Sequence, residues 1–291
     1  MLGSLRELVG LRNLPVAIDF SRVTKMWPSG TLLFLAEIKR LIWITKGLRR
    51  ISCRRVHDRK VNQVLHQIGF YQAIRRTSKV EPTAEDVIHW RALSGTGAEG
   101  DKAGELVETV GGRLPEALNT PMYNGLVEAM TNCKQHAYIR DRGDRLKIRG
   151  RGEWWMFAQE HLGKLSVVFC DLGIGIPNSL PLTQGAGPVR DLLARIGRMT
   201  GVTGDADFIR AAVELGRSRS GEPHRGKGLQ DVVDVIDASA NGALQIFSNA
   251  GCYTYRVRDG KSSPDYSDFK ESIMGTLIQW TVPIKAEEPL P

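Results

Sequence analysis

Two strand-like runs, "EWWMFAQEH" from Glu153 and "KLSVVFCD" from Lys164, are separated only by Leu162 and Gly163. A two-residue connection ending in glycine joins strands that turn straight back on each other, so the chain is expected to be organised around an antiparallel hairpin. The second run stops at a lone acid, Asp171, and then passes through Gly173 and Gly175 in "DLGIGIP". Asp-x-Gly is ordinary turn chemistry after a strand. The same residues also suit a flat ligand, with Asp171 accepting from an exocyclic amine and the glycines letting backbone come close.

Around this hairpin the periodicity predicts a helix at "NTPMYNGLVEAMTNCKQHAY", with Leu126, Val127, Met130, Cys133 and Ala137 on one face. Two helices are expected at Val189–Arg198 and Asp205–Leu215, a third at Lys227–Ala238, then strands at "ALQIFSN", "CYTYRVR" and "GTLIQWTVPI". That order implies an α+β sandwich, a mixed sheet with helices on one face. Upstream, "LPVAIDF" and "RISCRRV" read as strands. "SGTLLFLAEIKRLIWI" reads as a helix capped by Ser29, and "DRKVNQVLHQIGF" as one begun by Asp58 and closed near Gly69. The expected divisions are a smaller α/β domain at 1–76, a linker or connecting segment at 77–114, where "LSGTGAEGDKAGE" lacks periodicity, and a larger domain at 115–291.

Polar residues interrupt the expected core helix at a regular interval. Glu128, Asn132 and His136 are each four residues apart and share one stripe. A solvent-facing edge would look the same. In a site, an asparagine oxygen suits Mg²⁺, and a carboxylate one turn earlier suits a general base. Further on, "HRGKGLQDVVDVI" places Gly226, Lys227 and Gly228 at a helix start, where free N–H groups favour an anion.

Composition removes several classes. Four scattered cysteines show neither a disulfide framework nor zinc spacing, no apolar run approaches the ~18 residues that span a bilayer, and the first residues lack a signal-peptide core. A cytoplasmic protein with no membrane partner is expected. The net charge of +8 favours anionic partners in general.

Taken in order, "LVEAMTNCKQHAY", "DLGIGIP", "RGKGL" and "GTLIQWTVP" resemble the N box, two glycine boxes and closing strand of the GHKL ATP-binding superfamily of gyrase, heat-shock chaperone, histidine kinase and mismatch-repair ATPases. The resemblance runs from about Pro115 to Ile284. It implies a Bergerat-type fold that binds ATP and Mg²⁺. Asp171 would bind the adenine amine, Gly173 and Gly175 would shape the pocket's turn, and Asn132 would hold the metal. Glu128 would be the base, Gly226, Lys227 and Gly228 would lie near the phosphates, and Thr276 would sit around the adenine. The N box is most similar to that of the anti-sigma-factor serine kinases, matching at Glu128, Ala129, Asn132 and His136.

The chemistry implied is hydrolysis or transfer to a serine. The first expectation is an ATPase acting as a nucleotide-gated regulator of a protein partner, with a homodimer as one expected state. The second is a serine kinase for a partner of the sulfate-transporter and anti-sigma-antagonist (STAS) type. The amino-terminal "VAIDFSRVTKMWPSGTLLFLAEIKRL" is itself similar to that STAS fold, but Pro28 stands where the phospho-acceptor would be. A third class is a nucleic-acid-binding module, because nine Lys or Arg residues and one acid, Asp58, lie between Lys39 and Lys60.

Overall fold

The computed structural model describes residues 1–48, 50–84, 87, 91–111, 113–147, 152–184, 186–200, 204–219 and 229–285. Its centre is a seven-stranded sheet in the order β3-β4-β5-β9-β6-β7-β8, formed by Arg91–Thr96 (β3), Glu153–His161 (β4), Lys164–Asp171 (β5), Asn241–Ser248 (β6), Gly251–Arg258 (β7), Lys261–Asp268 (β8) and Thr276–Pro283 (β9). Every pairing in it is antiparallel, which corrects the expected mixed sheet. The predicted β4–β5 hairpin is present. Leu162 and Gly163 both take positive φ, 50° and 70°, the twist a two-residue connection needs.

Consecutive apolar residues in the central strands are explained by burial on both faces. Trp154, Met156 and Ala158 join one core and Trp155 and Phe157 the other; along β5, Val167 and Phe169 face opposite to Val168 and Cys170. The first face carries helices Gly100–Gly111 (α5), Glu116–Asn132 (α6), Ile176–Thr183 (α7), Ala186–Thr200 (α8), Asp205–Arg219 (α9) and Leu229–Asp237 (α10). Gly125 lets α6 lie close to α10: a Cβ there would meet the Asp231 carbonyl at 3.2 Å and Val235 at 3.0 Å.

The second face is covered by the amino-terminal region. A short helix, Leu2–Leu5 (α1), runs into a π turn at Arg6–Leu11. A βαβ unit follows, in which Val16–Ile18 (β1) and Ile51–Cys53 (β2) pair in parallel across Pro28–Ile44 (α2), and Arg59–Gln67 (α3) and Phe70–Ala73 (α4) complete the layer. Its side chains share one core with Trp155, Phe157, Val168, Cys170 and Leu277 of the sheet. The α+β class is therefore realised in three layers, with helices on one side and this unit on the other.

Local expectations fare unevenly. Asp58 caps α3 by accepting from the Val61 N–H at 2.8 Å, and Gly69 is left-handed at φ 76°. Ser29 is not a cap: Pro28 is already helical, Trp27 occupies the cap position, and no side chain caps this end. The stretch 77–114, expected as a connection, contributes edge strand β3 and helix α5. Strand β8, "KSSPDYSD", was not expected; it is a mostly exposed edge strand, where a polar run with Pro264 is tolerated. Among the described residues no helix is long and apolar enough to cross a membrane.

Candidate functional site

The helical face opens into a cavity of about 130 Å³ lined by Asn132, His136, Asp171, Gly175, Thr276 and Ile278, with Phe169, Leu180, Leu215 and Leu229 among its apolar walls. Three expected residues from distant parts of the chain, Asn132, Asp171 and Thr276, thus meet at one concave surface.

Asp171 ends β5 directly opposite Thr276, the first residue of β9. Its carboxylate accepts from the Gly173 N–H at 2.8 Å, and Thr276 bonds it through backbone and hydroxyl. Burial pushes its pKa up to about 6, opposed by those hydrogen bonds and by Arg142. Thr276 is held in turn by Ser248, whose Oγ lies 3.1 Å from the Thr276 hydroxyl and accepts from the Ile176 N–H at 2.8 Å.

The two glycines after Asp171 have different causes. At Gly173 a Cβ would fall 2.2 Å from the Ala137 carbonyl oxygen, because the loop crosses directly over the end of the Asn132 helix, where the Ile174 N–H donates to that same oxygen at 2.8 Å. Gly175 has φ 78°, and a Cβ would meet the Asn249 side chain at 2.7 Å. Gly275 closes the rim at φ 138°, where a Cβ would fall 2.4 Å from the Asp171 carbonyl oxygen.

The α6 helix does not simply end at Asn132. It widens into a π turn, Cys133–Ala137, a local expansion common at functional sites. Both Asn132 and His136 thereby line the cavity. The Asn132 Nδ2 donates to Glu128 Oε1 at 2.8 Å, which leaves the amide oxygen for a ligand. Burial raises the Glu128 pKa, and the negative charge of Asp231 adds to it. Burial lowers that of His136, whose Nδ1 is buried and has no hydrogen-bond partner among the described residues. A carboxylate with raised pKa beside an amide oxygen is suited to taking a proton from water or a hydroxyl.

Gly226, Lys227 and Gly228 lie outside the described residues. Among the described residues no three His, Cys, Asp or Glu side chains are grouped to hold a metal.

Several supporting residues were not anticipated. Asn249, at φ 52°, donates to the Ile174 carbonyl at 2.9 Å and accepts from the Gly275 N–H at 3.3 Å, tying both rims of the Asp171 loop together. The Asn-Ala-Gly sequence between two strands was a readable turn signal. Tyr138 accepts from the Leu172 N–H at 3.0 Å and donates to the Glu153 carbonyl at 2.6 Å. Behind the loop, Arg142 is buried against Glu37 of the amino-terminal layer, a pairing across 105 residues with no local sequence signal.

Compared with family models, curated proteins and solved structures, the chain matches none of them.

Proposed function

We propose that the chain is a GHKL-type Mg·ATP-binding protein that acts as a nucleotide-gated regulator of a protein partner. The observation that carries this is the placement of a buried, backbone-held carboxylate, Asp171, on the same cavity as Asn132 and Thr276, with Glu128 hydrogen bonded to Asn132. Asp171 would accept from the adenine amine, and Phe169, Ile278 and Leu215 offer apolar contact to a ring.

Mg²⁺ keeps water and phosphate oxygens in its shell and needs few protein ligands. The single amide oxygen of Asn132 beside Glu128 fits an ion that arrives with the nucleotide. Glu128 would then take a proton from the attacking group.

A serine-kinase activity is the second reading, favoured by the raised pKa of Glu128, which suits turnover. The β1–α2–β2 unit is compatible with a STAS-like layer, but Pro28 offers no hydroxyl at the acceptor position. A nucleic-acid role for the whole Lys39–Lys60 run is weakened because Arg40 is buried in ion pairs with Asp144 and Glu37. Calorimetry with Mg·ATP tests the site, and loss of binding in Asp171→Asn is expected. Radiolabelled ATP, followed into free phosphate and into protein with and without STAS-type partners, separates the two activities. Wild-type affinity in Asp171→Asn would remove the nucleotide from this cavity.

A further inference from the structure

A second concave site lies at the other end of the sheet and on its other face. From Asp171 back to Lys164 is the length of β5, eight residues or roughly 25 Å at ~3.3 Å per residue. There the amino-terminal layer stops short of the β4–β5 hairpin and leaves a pocket of about 500 Å³, within the size range of small-ligand sites.

The floor of this pocket is built of polar side chains. Further along β4 and β5 this sheet face is apolar and covered, with Trp155, Phe157, Val168 and Cys170 in its core. Here the strands present Ser166, Gln279 and Thr281, with Ser166 Oγ 3.4 Å from Thr281 Oγ1 and Gln279 Nε2 donating to Thr281 Oγ1 at 3.3 Å. One wall is Trp27, 63% exposed, with the Lys25 ammonium 3.9 Å from its ring centroid. A large ring left in water at the mouth of a pocket contributes little to the core.

Among the described residues, the charged side chains that line this pocket are lysines. Lys25, Lys60, His161 and Lys164 line it, and no carboxylate does among the described residues. Of the acids described nearby, Asp58 caps α3, and Glu160, on the opposite face of β4, pairs with Arg113 at 2.7 Å. Lysines around an exposed aromatic face match a planar ring that carries phosphate, the ring stacking and the cations meeting the anion.

We propose that this pocket is a second ligand site, for a nucleotide unit, with its base on Trp27 and its phosphate on Lys25 and Lys164. The unit is either a free nucleotide or part of a single strand, and the chemistry of recognition is common to both. The site does not depend on what occupies the Asp171 cavity.

The test uses the full chain with two pyrimidine probes, which lack the adenine amine: uridine monophosphate by calorimetry, and a short fluorescein-labelled oligothymidylate by anisotropy, both at about 50 mM salt. At least one is expected to bind below about 1 mM. Trp27→Ala and Lys164→Glu, both at exposed positions, should each weaken it by about tenfold or more, with melting curves confirming the fold. Asp171→Asn should leave it unchanged. Oligonucleotide binding with a log–log salt slope of about −1.4, reduced by about 0.7 in Lys164→Ala, assigns a strand; binding of uridine monophosphate with equal or greater affinity assigns a free nucleotide. The proposal is overturned if neither probe binds, if both surface variants keep wild-type affinity, or if Asp171→Asn abolishes binding.

Discussion

Arg142 donates from Nη1 to the carbonyl oxygen of Leu172 at 3.3 Å, one residue beyond Asp171, while its Nη2 engages Glu37 on α2. The loop that presents Asp171 is therefore held from behind by the amino-terminal layer. Arg6 adds to this, donating to Glu37 at 2.7 Å and to the Ile273 carbonyl, near Gly275, at 3.0 Å. Arg40 binds Asp144 at 2.5 Å, so three guanidiniums and two carboxylates share one buried cluster.

Glu37→Gln should be among the most damaging single substitutions outside the cavity. It leaves three buried guanidiniums facing Asp144 alone, and breaking a buried ion pair costs about 3–5 kcal/mol. Burial raises the pKa of Glu37, but Arg142, Arg6 and Arg40 outweigh it and hold the carboxyl below its usual range; Asp144 is lowered likewise. Their stabilisation is present above the unfolded carboxylate values and is lost as pH falls through the lower folded ones. Urea midpoints should show the loss at neutral pH, with part of it recovered in Glu37→Gln/Arg142→Met. Additive losses would mean that the pair is not coupled.

Gly173→Ala should not be tolerated despite the small added volume. The obstacle is backbone, the Ala137 carbonyl 2.2 Å from the new Cβ, so the loop must move off the α6 end and lose the Ile174-to-Ala137 hydrogen bond. A fall in melting temperature together with loss of nucleotide binding is expected. Gly187→Ala, where nothing lies within 4 Å of the added carbon, is the matched control.

Much of this arrangement was legible in the chain, and the remainder was hidden for identifiable reasons. The β4–β5 hairpin and the Asp58 cap depend on local pattern, and that pattern was strong; Asn132, Asp171 and Thr276 were singled out by the order of several motifs and the resemblance it carries, since each motif alone also fits a surface edge or an ordinary turn. The antiparallel pairing of the whole sheet depends on strand order, which no local signal encodes. Apolar residues on both faces of "WWMFA" and "VVFC" already demanded cover on both sides, and this was the clue to the amino-terminal layer. Strand β8 was missed because an exposed edge needs no apolar alternation, although Asp259 and Gly260, both at positive φ, form a typical hairpin turn before it. Arg142 and Glu37 meet only through tertiary packing.

Glu128 and Asn132 should separate when changed one at a time. Glu128→Gln keeps the shape and the neighbour of Asn132, so Mg·ATP binding should persist while turnover falls by ~10² or more. Asn132→Ala removes the amide oxygen and should weaken metal-dependent binding itself. Because burial raises the Glu128 pKa, turnover should increase as pH rises through that value and flatten above it. Normal turnover in both variants would make the stripe structural.

Asp171→Asn should make the empty protein more stable at neutral pH while removing nucleotide binding. Burial lifts the folded pKa from 3.8 to about 6, so the ionised side chain is disfavoured in the folded state. The stability this group contributes is fully present below its unfolded value and is lost as pH rises through about 6. The gap of about two units corresponds to roughly 3 kcal/mol at neutral pH, an upper bound because Asn offers one acceptor oxygen where the carboxylate bonds both Gly173 and Thr276. Wild-type stability should therefore fall between about pH 4 and pH 6 relative to the variant and level off above that, and the two should converge in acid. Binding runs the other way: an amine donor favours the carboxylate, so adenosine, which has no phosphate to titrate, should bind more tightly as pH rises through the same range, with release of a proton. Denaturant midpoints across pH and calorimetry in buffers of different ionisation enthalpy measure both. A variant less stable than wild type at neutral pH, together with adenosine affinity independent of pH, would place Asp171 in the framework of the fold and not in the recognition of a base.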